Sequence, residues 1–123
     1  MKNFKSYRKL ISYASMGVFM LISIVFFSSY IPMKILQVTE DRLDFTTFLL
    51  RYEKKETGEY PYDITCFENN RFDVKNVLID SWKNTFYYER SDNGQAYLLV
   101  SKGKDGILFT DDDISRSSKD IKH

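Results

Sequence analysis

Residues 10–31, LISYASMGVFMLISIVFFSSYI, contain no charged side chain, and this run constrains the chain more than any other feature. At about 1.5 Å rise per residue it makes a helix of roughly 33 Å, enough to cross a bilayer core of about 30 Å. A soluble helix apolar on every face would need a larger core than 123 residues can build. Ahead of the run lie Lys2, Lys5, Arg8 and Lys9, with no acid among them. That bias holds residues 1–9 in the cytoplasm and sends the rest of the chain outward. A cleavable signal peptide has a shorter apolar core of about 7–15 residues and a small-x-small cleavage site. Phe26-Phe27-Ser28-Ser29-Tyr30 makes a poor site of that kind, so the expectation is an uncleaved signal anchor over 10–31.

The formal net charge of +1 hides a division. Five basic residues and no acid lie up to Lys34; of the 18 Lys and Arg, 13 remain beyond it against all 17 acids, a balance of −4. Clustered basic residues, the footprint of nucleic-acid binding, are missing from that outer part. The single cysteine, Cys66, excludes an internal disulfide and is expected to be a buried, small apolar residue.

Pro32 is expected to end or kink the membrane helix. A second helix is expected over 35–55, because Phe45, Phe48, Leu49 and Tyr52 share a face at i, i+3, i+4, i+7, with Val38 two turns earlier. Early Glu40, Asp41 and Asp44 and late Arg51, Lys54 and Lys55 suit the helix dipole. Gly58 is its expected stop, and Pro61 prevents continuation. Residues 62–79 read as short extended pieces or a helical turn around Asn69-Asn70, with Phe72, Val74, Val77, Leu78 and Ile79 covering one end of a core. Phe86, Tyr87 and Tyr88 make 85–90 a strand. Asn93-Gly94 supplies the positive φ of a hairpin turn, and 95–101 returns as the partner strand. Residues 107–110 are expected as a third short strand or the inward side of a loop, and 116–123 as a loose polar tail. The fold class is therefore α+β: a transmembrane helix, then a globular domain over 35–115 in which a helix packs on a small antiparallel sheet.

The sequence SKGKDGILFTDDDI, residues 101–114, places Asp105, Asp111, Asp112 and Asp113 around a glycine-punctuated turn. Adjacent carboxylates repel, and water or a cation must relieve them. Hard oxygen donors favour Ca²⁺ over Zn²⁺. A hydrated acidic turn is the alternative, and the EF-hand series of ligands is not present. Catalysis is not expected. The only histidine is His123, the last residue, so a Ser-His-Asp or Cys-His arrangement has no fixed base. Neither zinc spacing nor a phosphate-binding glycine loop occurs.

Four segments in order resemble the major pseudopilins, the G-type proteins of type II secretion. Leu49-Leu50-Arg51-Tyr52-Glu53-Lys54 followed by Gly58-Glu59-Tyr60-Pro61 resembles the end of that family's long helix. Asp80-Ser81-Trp82-Lys83-Asn84-Thr85-Phe86-Tyr87-Tyr88 is similar to its Asp-Pro-Trp-Gly-Asn-Pro-aromatic-x-Tyr segment. Tyr97-Leu98-Leu99-Val100-Ser101-Lys102-Gly103-Lys104-Asp105-Gly106 is similar to its Tyr-x-x-x-Ser-x-Gly-x-Asp-Gly, and Asp111-Asp112-Asp113-Ile114 to its closing Asp-x-Asp-Ile. The resemblance implies a pilin-like head and a Ca²⁺ loop. Its ligands would be the side chains of Asp105, Asp111 and Asp113 with the main-chain oxygens of Lys102 and Asp112, the Asp112 carboxylate facing solvent. It also implies that Tyr60, Trp82 and Tyr88 are packing residues.

Ser81, Lys83 and Thr85 replace the family's Pro, Gly and Pro. At the N-terminus, Gly17-Val18-Phe19-Met20-Leu21-Ile22 is the sole candidate for the processing site, and Ile22 stands where the family has Glu. Two functions follow as expectations. One is a pseudopilin-like subunit or accessory protein of a secretion or pilus-like system in the bacterial inner membrane, with a periplasmic head and other such subunits as partners. The other is a membrane-anchored binding or structural module that reuses the head without polymerising.

Overall fold

The computed structural model describes residues 2–69 and 76–118. The expected positions of Asn70, Phe72, Val74 and His123 lie outside them. The chain divides into two compact units, residues 1–34 and 35–123. One helix, α1, Lys2–Thr57, supplies the first unit and enters the second. Pro32 therefore does not end the helix. A proline removes one i→i−4 bond, and the turns on either side keep theirs.

In the first unit the apolar side chains of 10–31 are exposed around the helix, which is long and apolar enough to cross a membrane. Three of its serine hydroxyls are turned onto the helix's own backbone. Ser15 donates to Ser12 O, Ser23 to Phe19 O and Ser28 to Val25 O, each at 2.9 Å. These bonds mask polar groups that would be costly in hydrocarbon.

In the second unit, α1 stops at Gly58, whose φ of 89° only glycine adopts without strain. Its N–H donates to Lys54 O at 2.8 Å. A 3₁₀ segment, Ile64–Asn69, follows, and then three strands: β1 Tyr87–Arg90, β2 Tyr97–Ser101 and β3 Ile114–Ser117. The sheet is antiparallel in the order β1-β2-β3, with Tyr88 opposite Leu99 and Leu99 opposite Arg116. This is the α+β layout expected.

The third strand is not where the sequence placed it. Residues 107–110 form no strand, and Ile107 and Phe109 are exposed. Arg116 and Ser117, expected in a loose tail, pair with β2, and Arg116 reaches Asp44 of α1 at 2.7 Å. Pairing explains the change, because β3 satisfies the second edge of the fully buried β2.

The helix face differs as well. Leu49 is buried, but Val38, Phe45, Phe48 and Tyr52 are exposed. The inward face is Thr39, Leu43, Thr46, Thr47 and Leu50, spaced by the same helical period. Threonine can be buried here because Thr39 Oγ1 donates to Ile35 O (3.2 Å) and Thr46 Oγ1 to Arg42 O (2.9 Å). Opposite this face, Tyr97 and Leu99 of β2 join Tyr60, Ile64, Phe67, Leu78 and Phe86 in the core. Tyr60 is core, whereas Trp82 and Tyr88 are only half-buried. Tyr88 donates to Pro61 O at 2.7 Å, and burial raises its hydroxyl pKa.

The 91–96 connection takes its positive φ at Gly94 alone. Asn93 contributes its side chain, accepting from Ser91 Oγ (2.7 Å) and Gln95 N (3.1 Å). Cys66 is exposed rather than buried; a 3₁₀ segment turns only part of its surface inward, here Ile64 and Phe67.

Candidate metal centre in the 101–114 loop

The loop begins on a buried carboxylate. Asp80 is 1% exposed and accepts four hydrogen bonds. Its Oδ1 takes the Trp82 and Asn84 amides at 2.9 and 2.8 Å; its Oδ2 takes Asn84 Nδ2 at 3.1 Å and Ser101 Oγ at 2.9 Å. Asn84 Nδ2 also donates to Gly103 O at 2.9 Å. Ser81 and Thr39 share a further bond of 3.0 Å, which ties the same turn to α1. The turn 80–84 thus fixes both the end of β2 and the first residues of the acidic loop. Lys83 takes a φ of 72° within it.

The loop then closes on its own carboxylates. Asp112 Oδ2 accepts the Lys104 and Asp105 amides at 2.6 and 3.1 Å. Asp105 Oδ1 accepts the Ile107 amide at 2.8 Å, and Asp113 Oδ2 the Phe109 amide at 2.6 Å. Gly103 makes the close approach possible. Its φ is 61°, and a Cβ there would collide with both the Asp112 carboxylate and its main-chain oxygen.

Thr110 lies at the centre. Its hydroxyl is 2.8 Å from Asp112 Oδ1, 3.3 Å from Asp105 Oδ1 and 3.4 Å from Asp113 Oδ1, with Ile107 O at 3.1 Å. One hydroxyl proton serves one acceptor at a time. Three carboxylates, each already accepting a main-chain amide, therefore compete for this one hydroxyl. The Thr110 hydroxyl, then the Asp105 amide, hold the Asp112 carboxyl below its ordinary pKa.

Asp105, Asp112 and Asp113 each offer an oxygen, and these lie within 4.8 Å of one another, so the group could hold a metal ion. Two ligands across a cation with bonds of about 2.4 Å are at most about 4.8 Å apart, so this spacing fits an ion with oxygen ligands. Of the expected side-chain ligands, Asp105 and Asp113 belong to the group and Asp111 does not, while the Asp112 carboxylate belongs to it as well. Asp112 is exposed, as expected, while its carboxylate also accepts the Lys104 and Asp105 amides. The Asp112 main-chain oxygen lies against Gly103, and Lys102 is half-buried at the loop entrance.

Asp80, Asn84 and Thr110 were not singled out from the sequence as parts of a site. The signal available was the spacing of Asp80, Trp82 and Asn84, which suits an Asx turn followed by a second capture of the same carboxylate.

Comparison of the chain with protein-family models, with curated proteins and with solved structures gives no match.

Proposed function

We propose that the chain is a membrane-anchored, pseudopilin-like subunit or accessory protein of a type II secretion or pilus-like system, with a head stabilised by Ca²⁺. The observation that carries the calcium part is the convergence of Asp105, Asp112 and Asp113 on the single hydroxyl of Thr110. A divalent cation offsets that excess of negative charge and matches oxygen donors. The Asp80 turn holds the loop in place for it. Residues 10–31 anchor the protein in the bacterial inner membrane, with 1–9 cytoplasmic and the head periplasmic. Association with other such subunits is part of the proposal.

A second reading is favoured by Ile22, which stands where an acidic residue would pair with a neighbouring subunit, and by Gly17 inside the apolar run. In it the head is held by an ordinary signal anchor and does not form a fibre. Intact mass measurement on the purified membrane protein separates the two. Cleavage after Gly17 with a methylated Val18 supports the fibre subunit, and an uncut N-terminus contradicts that route and leaves the anchored module.

A further inference from the structure

We infer that the start of α1 holds an anionic phospholipid, with its phosphate at Ser6, Lys9 and Tyr13 and its acyl chains along the apolar run beyond. The inference rests on the reading of residues 10–31 as a membrane anchor with 1–9 cytoplasmic. It concerns the uncut chain, since cleavage after Gly17 would remove the site.

A groove of about 340 Å³ runs along this part of the helix, lined by Ser6, Tyr7, Lys9, Leu10 and Tyr13. Lys9 brings an ammonium to it, and Ser6 and Tyr13 bring hydroxyls that can donate. The hydroxyls of Ser15, Ser23 and Ser28 are bonded to the helix backbone. Among the described residues, those of Ser6 and Tyr13 have no such partner. Ser6, Lys9 and Tyr13 stand at i, i+3 and i+7, so they share one face over about 10 Å of helix. No Asp or Glu occurs before Glu40, so no carboxylate of this segment competes for these donors. A phosphate takes hydrogen bonds from the hydroxyls and a charge-assisted one from the ammonium. Lys5, one turn from Lys9, adds a second cation to that side. A net-negative headgroup is therefore favoured over one that carries its own ammonium.

The groove lies where the charged flank meets the apolar run, so its occupant is charged at one end and apolar at the other. Its seam continues inward, because Ser6, Leu10, Tyr13 and Gly17 follow at i, i+4, i+7 and i+11. Gly17 has no side chain, and nothing lies within 4 Å of where a Cβ would stand, so the seam stays open past Tyr13. Deeper in the helix, the groove at Leu21, Ile22, Val25 and Phe26 has only apolar side chains and offers a phosphate no donor. A phospholipid of the surrounding bilayer meets both demands. Net charge alone orients an anchor, whereas this site needs donors on one face. At about 100° per residue, Arg8 lies about 160° around the helix from Ser6, with the same charge as Lys9 but away from the groove.

The test uses the full-length protein in phosphatidylcholine vesicles, with spin-labelled phosphatidylglycerol or spin-labelled phosphatidylcholine as the probe. The fraction of label immobilised by the protein gives a relative association constant. The natural sequence is expected to hold phosphatidylglycerol more tightly. Lys9→Gln should lower that preference about fivefold, and Tyr13→Phe about threefold, while Lys9→Arg retains it. Arg8→Gln removes the same charge from the other side and should lower it less than Lys9→Gln does. Equal holding of the two probes would overturn the site. So would equal losses in Lys9→Gln and Arg8→Gln with none in Tyr13→Phe, which would leave a diffuse attraction. Displacement of the label by millimolar glycerol phosphate would overturn it in favour of a soluble phosphate. Release of the protein from the vesicles by alkaline carbonate would end the anchor reading itself, a failure distinct from lost selectivity in a protein that stays in the membrane.

Discussion

Asp80 and the group Asp105, Asp112 and Asp113 are two carboxylate sites in one small head, joined through Asn84 and Gly103, and they solve opposite problems. Asp80 is buried and has four donors for one carboxylate. The loop group has three carboxylates that share one hydroxyl and take four main-chain amides between them. The first is complete with protein atoms alone and sets a backbone geometry. The second is over-supplied with negative charge, and by the proposal above it is completed by a cation. Burial of a carboxylate therefore does not mark the candidate site here. The crowding of three carboxylates does.

The largest effect should come from Asp80→Ala. It strands the Trp82 and Asn84 amides, Asn84 Nδ2 and Ser101 Oγ together, and is expected to destabilise the head by about 3 kcal/mol or more. Denaturant titration of the full-length protein measures this, and a loss near zero would end the distinction between the two sites. Gly103→Ala comes next. Its Cβ meets Asp112 and its φ is positive, so a cost of about 1–3 kcal/mol is expected, together with loss of any response to Ca²⁺.

Asp112→Asn sharpens the comparison. It should weaken the protein more in millimolar Ca²⁺ than in chelator, where only the stronger hydrogen bonds of the charged carboxylate are lost. A smaller effect is expected with pH. The folded pKa of Asp112 lies below its unfolded value, so its contribution is present above about pH 4 and is lost as pH falls through the folded value. Amide exchange at Lys104 and Asp105 should rise there relative to the trend elsewhere in the head. Uniform behaviour across the head would contradict the assignment. The smallest effect is at Asp111→Asn, which should leave the Ca²⁺ response intact.

Much of this architecture is legible in the sequence where chemistry is local. The charge-free run over 10–31, the glycine stop at Gly58 and the strands on either side of Asn93-Gly94 each follow from a single residue type or spacing. What failed depended on tertiary partners. The helix face was misread because Thr39 and Thr46 count as polar until their hydroxyls are seen bonded to their own helix. β3 was missed because Ser115, Arg116 and Ser117 have weak strand propensity and gain their ladder only from β2. In the loop, the acidic group is legible in the sequence, but adjacent carboxylates are equivalent on paper, and only the position of the Lys104 and Asp105 amides brings Asp112 into the group with Asp105 and Asp113.

The central claim is that the 101–114 loop is completed by calcium. The direct measurement is the thermal transition of the full-length protein in detergent, with millimolar Ca²⁺ and with chelator, for the natural sequence and for Asp105→Ala. The account predicts a higher transition temperature with Ca²⁺ in the natural sequence and no difference in Asp105→Ala. Equal temperatures in Ca²⁺ and chelator for the natural sequence would contradict it and leave the three carboxylates as a hydrated acidic turn.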